Sequence, residues 1–289
     1  MNAMPLRSVL YMPGSNQRAM DKARGLPADA IIFDLEDAVA PDAKNSAREQ
    51  VVAQLAAGGY GERQLVVRCN ALASPWGEQD ITALAATAVR VLCLPKVESV
   101  EQLQAVRELL NDCGRRDILL WPMVETPPGV AAAPEIAGFA TVDCLVMGTS
   151  DLAFELQLPP SPDRCGLQFA LSSCVLSARL AGVRVLDGVQ LDIQDTAALR
   201  AVCEQGRALG FDGKTLIHPS QIAVTNEVFG LSAEVVARAA RVLDVWRDAE
   251  QAGRGVAVLD GKLVETMHVD EARRTLAMAQ QIARLQETE

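Results

Sequence analysis

The stretch WPMVETPPGV, Trp121 to Val130, places one carboxylate, Glu125, where an apolar run stops and a helical pattern starts. The run reads as a strand, approached through DILLWPMV. Thr126 reads as the cap of the next helix, with proline at the first turn, where its missing N–H is tolerated. The same junction recurs in LVMGTSDLAF, Leu145 to Phe154, where Asp151 takes the position of Glu125. Working outward, short apolar or β-branched runs alternate with longer stretches of helical period. The runs are Ser8 to Met12, Ala30 to Leu35, Leu65 to Cys69, Val91 to Leu94, Ile118 to Val124, Cys144 to Met147, Val183 to Leu186 and Thr215 to Ile217. Helical patterns fall between them, among them Gln17 to Arg24, Lys44 to Ala57, Val100 to Asn111, Gly166 to Ala181 and Thr196 to Leu209.

Alternation of this kind predicts an α/β protein with a parallel sheet. Eight units in the first 230 residues predict a (β/α)8 TIM barrel, a fold of about 250 residues. A doubly wound sheet is the second choice, although no G-x-G-x-x-G follows a strand. The alternation stops at Gly230, so residues 1–230 are expected to form the catalytic domain. Residues 231–289 are expected to form a helix–hairpin–helix extension that packs on a neighbouring subunit. Its first helix should end at Gly253, its hairpin should turn at Asp260-Gly261, and its second helix should start near Asp270.

With 289 residues and 49% hydrophobic content, the chain can bury a large core. No run approaches the roughly 18 apolar residues of a membrane span, and the start lacks a signal-peptide core. A cytoplasmic protein is expected. Seven scattered cysteines without C-x-x-C spacing predict small core residues rather than disulfides or a zinc ribbon. A net charge of −10 argues against non-specific binding to nucleic acid or anionic membrane. Two histidines, His218 and His268, leave little room for zinc or Ser-His-Asp designs. A metal here should have oxygen ligands, as Mg²⁺ does.

Barrel chemistry is built at the carboxyl ends of strands. The polar residues found there are Asp34, Glu36 and Asp37, Arg68 and Asn70, Lys96 and Glu98, Glu125, Asp151, Asp187 and His218. Glu125 reads as the residue that simply precedes the Thr126 cap and Asp151 as a first-turn acid behind a Ser150 cap, or the two read together as a metal pair. Arg68 reads as one member of an ion pair with Glu36 or Asp37, or as a two-pronged donor to a substrate carboxylate. Lys96 reads as a partner for one of the acids or as a substrate contact. His218 reads as structural in preference to catalytic. In GRALGFDGKTLIHP the Gly-Lys-Thr is not a phosphate loop: Ala208 stands where that loop needs glycine, and a strand rather than a helix follows.

The segments RSVLYMPGSN, DAIIFDLEDAVAPDAK, VVRCN, CLPKVES, VETPPG, MGTSDL and GFDGKTLIHPSQI, in this order, resemble the citrate lyase β-subunit-like family, with its malyl-CoA and citramalyl-CoA lyases. The resemblance spans nearly the whole chain. It implies a barrel enzyme, a homotrimer or hexamer, that uses Mg²⁺, with Mn²⁺ as a substitute, on the carbon–carbon bond of a 3-hydroxyacyl-CoA. By the same resemblance Glu125 and Asp151 hold the cation and Arg68 binds the oxo-acid portion. Amides of Gly148, Thr149 and Ser150 meet the substrate carboxylate, with Lys96 beside them, and Arg18 and Lys22 meet coenzyme A phosphates. Glu36 and Asp37 support Arg68 and metal-bound water. In the lyases of this family a C-terminal aspartate from a neighbouring subunit moves a proton. Here GKLVETMHV carries Glu265 at that place. The first expectation is an Mg²⁺-dependent lyase for malyl-, citramalyl- or citryl-CoA. A malyl-CoA thioesterase is the alternative, because family members with Glu and a following His are associated with hydrolysis. The β subunit of a citrate lyase complex is the third reading, and an exposed hairpin residue is the plain reading of Glu265.

Overall fold

In the computed structural model, which describes residues 4–287, the chain divides into two compact units. The first is Leu6–Phe229 and the second runs from Gly230 onward together with Met4 and Pro5. Residues 1–3 and 288–289, the ends of the two expected domains, lie outside the described residues.

In the first unit the described residues form a closed barrel of eight parallel strands in sequence order. They are β1 (Ser8–Pro13), β2 (Ala30–Asp34), β3 (Gln64–Arg68), β4 (Val91–Leu94), β5 (Leu119–Val124), β6 (Cys144–Met147), β7 (Arg184–Asp187) and β8 (Gly213–Leu216). β1 pairs with both β2 and β8, which closes the ring. The strands are apolar runs because both faces are covered. One set of side chains, including Ile31, Phe33, Leu120 and Leu145, packs outward with the surrounding helices. The alternate set, including Val9, Ile32, Val66, Trp121 and Val146, fills the barrel.

That alternation aims the site. Ala30 and Ile32 face inward, so two residues on, Asp34 does as well. The same count carries Val66 to Arg68, Met123 to Glu125 and Val146 to Gly148. Asp34 and Arg68 are register partners across β2 and β3. The barrel is therefore packed with apolar side chains up to its carboxyl end, and its last inward layer is charged.

Residues 213–215, the Gly-Lys-Thr, lie in β8. Gly213 is required there by close approach, since a Cβ would fall 1.7 Å from the carbonyl oxygen of Leu6. Strand limits match the sequence reading at β4 and β6 and differ from it by one or two residues elsewhere. The largest difference is in β8, which starts at Gly213 rather than Thr215 because it is the register against Arg7 and Ser8 that defines it.

The second unit holds a helix at Ala233–Gln251, a hairpin of β9 (Ala257–Leu259) and β10 (Lys262–Val264), and a helix at Thr266–Glu287. Both turn residues of the hairpin have positive φ, 51° at Asp260 and 75° at Gly261, as a two-residue turn matched to strand twist requires. Trp246, Val242, Leu259, Val264 and Val269 form its core. The last helix begins a turn earlier than Asp270. The Glu265 N–H donates to His268 Nδ1 at 3.0 Å, which satisfies a donor that the helix start would leave open.

All seven cysteines are free. Five are buried as expected, while Cys113 and Cys165 are exposed. No helix among the described residues is long and apolar enough to cross a membrane.

Candidate active site

The charged layer opens into a cavity of about 360 Å³ at the carboxyl end of the barrel, with Arg68, Glu125, Thr149 and Asp151 in its wall. Glu125 follows β5 and is 2% exposed. Thr126 behind it caps the next helix by accepting the Gly129 N–H at 3.2 Å, so the capping reading and the site reading hold together. One carboxylate oxygen of Glu125 accepts the backbone N–H of Lys96 at 2.7 Å. Lys96 holds that donor in place with φ of +50°, an unfavourable conformation for a residue with a Cβ, and such strain is concentrated at working sites. The other oxygen lies against Gly148, where a Cβ would come within 2.4 Å. Glycine after β6 is thus the condition for Glu125 to reach the cavity. Burial, with the charge of Asp151 adding to it, pushes the Glu125 carboxyl up to about 8, although the Lys96 amide opposes this.

Asp151 is in the first turn of the helix Thr149–Glu155. The residue at the cap is Gly148, not Ser150, so the helix starts two residues earlier than the sequence suggested, and Ser150 is part of it. The Lys96 ammonium is 3.8 Å from Asp151, a loose and half-exposed pair. Glu125 has no cationic side chain within salt-bridge distance among the described residues.

Arg68 makes the expected ion pairs with Glu36 and Asp37, and a third acid holds it more closely. Asp34, 1% exposed, takes its two-pronged edge, with Nε and Nη2 each donating at 2.7 Å. Glu36 and Asp37 share the remaining Nη1 at 3.0 and 3.3 Å. Burial disfavours the guanidinium charge, yet Asp34 holds its pKa well above the ordinary value. Burial raises Glu36 to about 7 even though Arg68 pulls it down. The Arg68 plane also lies over the Tyr11 ring, 4.9 Å from its centre. Sequence reasoning placed Asp34 on the ring of strand ends but did not give it this bond, and it missed Tyr11 altogether. The register of β2 against β3 and the inward count along β1 are the signals that locate them.

Asp187 is not in the cavity. It is fully buried between Lys214 at 2.8 Å and Arg164 at 2.7 Å. Burial would raise its pKa, but the two cations bring it below the ordinary carboxylate value. The cluster ties β7 and β8 to the loop that carries Arg164. His218 is exposed and caps a short turn by accepting the Ser220 N–H at 3.2 Å, a structural part. Arg18 and Lys22 lie exposed on the helix Gln17–Ala23 after β1, one turn apart. Glu265 is exposed on the second unit, beside His268.

The donor set fits a hard cation. Two carboxylates converge, one buried without a positive partner, and among the described residues no third His, Cys, Asp or Glu joins them. Such a pair leaves the remaining positions of an Mg²⁺-type ion to water and substrate oxygen.

Paired carboxylates and a clamped arginine stand at the carboxyl end of a parallel eight-stranded barrel, the face on which enzymes of this fold carry their active sites. The chain belongs to the HpcH/HpaI aldolase/citrate lyase family, whose model matches residues 7–219. It is 48% identical to the (3S)-malyl-CoA thioesterase of Cereibacter sphaeroides, across 97% of each chain. It is 34% identical to the citrate lyase subunit beta of Escherichia coli, across 95% of this chain and 93% of that one. Among solved structures it resembles protein CitE from Mycobacterium tuberculosis in complex with magnesium, acetoacetate and coenzyme A. There the TM-score is 0.76 and the identity 30%, covering 98% of this chain and 100% of the other.

Proposed function

We propose that this enzyme hydrolyses malyl-CoA, or a close 3-hydroxyacyl-CoA, to the free acid and coenzyme A, with Mg²⁺ held by Glu125 and Asp151. The observation that carries the reading is Glu265 itself, at the head of the last helix with its backbone N–H donating to His268 Nδ1, at the place where the resemblance puts an aspartate in the carbon–carbon lyases. The 48% identity to a malyl-CoA thioesterase across the full length supports it. The lyase reading, favoured from sequence alone, becomes the second choice on the same scaffold.

Bound at Glu125 and Asp151, the cation would supply positive charge to the substrate's carboxylate and hydroxyl oxygens. Mn²⁺, with the same preference for oxygen, would substitute. Arg68, made rigid by Asp34, adds a fixed charge to the wall that faces the acyl group. Amides and hydroxyls of Gly148, Thr149 and Ser150 orient the carboxylate, and Arg18 and Lys22 meet coenzyme A phosphates. Glu265 comes to the mouth from a neighbouring copy in a homo-oligomer and orients a water toward the thioester carbonyl. Glu265 takes a proton from the water as the water oxygen bonds to the carbonyl carbon and the π pair moves to oxygen. Collapse of that intermediate breaks the C–S bond, the pair leaves on sulfur, and the proton held by Glu265 passes to the thiolate.

Malyl-, citramalyl- and citryl-CoA, each with Mg²⁺, Mn²⁺ or excess chelator and with products identified by mass, test the proposal. Metal-dependent release of free coenzyme A from malyl-CoA by the isolated homo-oligomer is expected. Full activity in chelator contradicts the metal assignment. Activity only with carrier-protein subunits favours a complex of the citrate lyase type.

A further inference from the structure

β1 stands across the closed ring from β5. Glu125, at the end of β5, and Asp151, after β6, gather the charged end of a bound 3-hydroxyacyl group on one side of the cavity. The thioester end then falls on the opposite side, where β1, β2 and β8 supply the wall. That wall contains Tyr11, Pro13, Ala38, Thr215 and Ile217 beside the carboxylates already bound to Arg68. A thioester oxygen needs a donor, and few are free there. The Thr215 hydroxyl is given to the carbonyl of Asp187 at 3.1 Å. The Arg68 N–H groups go to Asp34, Glu36 and Asp37. Tyr11 remains. Its ring is fixed under the Arg68 guanidinium at 4.9 Å and packs on the barrel interior, and among the described residues its hydroxyl has no hydrogen-bond partner.

We infer that the Tyr11 hydroxyl is a catalytic donor to the thioester oxygen of the substrate, an inference that rests on the reading of the substrate as a coenzyme A thioester. In hydrolysis the carbonyl π pair moves onto that oxygen as water adds to carbon. In carbon–carbon cleavage the same oxygen takes the charge of the departing enolate. The phenol serves both by donating a hydrogen bond without giving up its proton. Its surroundings keep it a donor, since burial, aided by Cys93, Asp34 and Glu125, sets its pKa well above the ordinary value even against Arg68. The stacked guanidinium polarises the ring and strengthens the O–H as a donor, so Arg68 acts on this oxygen through Tyr11.

The test is Tyr11→Phe, which keeps the ring, its contact with Arg68 and the packing, and removes only the hydroxyl. Two quantities are read: kcat for malyl-CoA, and the affinity for its thioether analogue, in which a CH2 group replaces the thioester carbonyl. Loss of a preorganised donor to a developing oxyanion lowers kcat by about 10²-fold. Affinity for the analogue should stay within about twofold of wild type, because there is no oxygen to bind. A kcat within about threefold of wild type overturns the inference. So does an equal fall in analogue affinity, which would show that the hydroxyl serves binding in general and not the thioester oxygen. Wild type inactive on every coenzyme A thioester would overturn the substrate reading and this inference together, an outcome distinct from an active wild type with an equally active variant.

Discussion

Arg68 carries a full charge into the top layer of the barrel, and three carboxylates answer it. The two-pronged pairing with Asp34 is what a lysine cannot reproduce, since an ammonium is a point charge with no fixed fork. Arg68→Lys and Arg68→Ala should therefore lose comparable activity, each on the order of 10²-fold or more in kcat/KM. If Lys keeps most of the activity, Arg68 is only a source of charge. Glu125 predicts a pH dependence whose sign follows from its raised pKa. An unfolded glutamate titrates near 4.3. The cation-free folded protein thus holds one more proton than the unfolded chain up to about pH 8, so this group's contribution to stability is lost as pH rises through that window. At the proposed site Mg²⁺ would displace the same proton. Its apparent affinity should strengthen with pH, by up to about tenfold per unit, and level off above about 8. Calorimetric titration of cation-free protein between about pH 6 and 9 checks this, and a flat affinity across the range would mean that Glu125 is already ionised.

At the scale of elements, most of the strands were legible as short apolar runs, a pattern set by burial on both faces, while β8, with Lys214 and Thr215 in it, was read two residues late. The acids and cations at the strand ends were legible for the same reason. Their pairing was not. Whether Arg68 meets Asp34 or Glu36 depends on the register of β2 against β3, which no local pattern encodes. The left-handed turn at Lys96, which turns its amide to Glu125, likewise leaves no mark in composition. The start of the helix after β6 was misplaced because Gly148 caps it with no side chain to signal the position. That glycine supports an element-scale prediction. In Gly148→Ala the new methyl would meet the Glu125 side chain at about the 2.3 Å and 2.4 Å read for an added Cβ, against a neighbour that is itself buried. The carboxylate must rotate out of the cavity or the start of the helix must move. Either displacement should weaken Mg²⁺ binding by on the order of tenfold or more and lower kcat by about 10²-fold, since about 1 Å of misplacement costs that much. Circular dichroism should show the barrel intact. Unchanged Mg²⁺ affinity would place the cation away from Glu125.

For the whole molecule, the proposed function places the choice of reaction on Glu265 of the second unit and the metal on Glu125 and Asp151 of the barrel. Glu265 has one methylene more than the aspartate of the family's lyases, so its carboxylate reaches up to roughly 1.5 Å further. Under the proposed function that length misplaces it for proton transfer to an enolate carbon and suits it to holding a water. Glu265→Asp should raise the share of carbon–carbon cleavage. An unchanged product ratio in both Asp and Ala variants would move the decision into the barrel. The central claim, that this barrel hydrolyses a malyl thioester rather than splitting its carbon chain, is tested most directly by the products of wild type acting on malyl-CoA with Mg²⁺. Malate and free coenzyme A in equal amounts, with little acetyl-CoA, are expected. Glyoxylate and acetyl-CoA as the main products would contradict it.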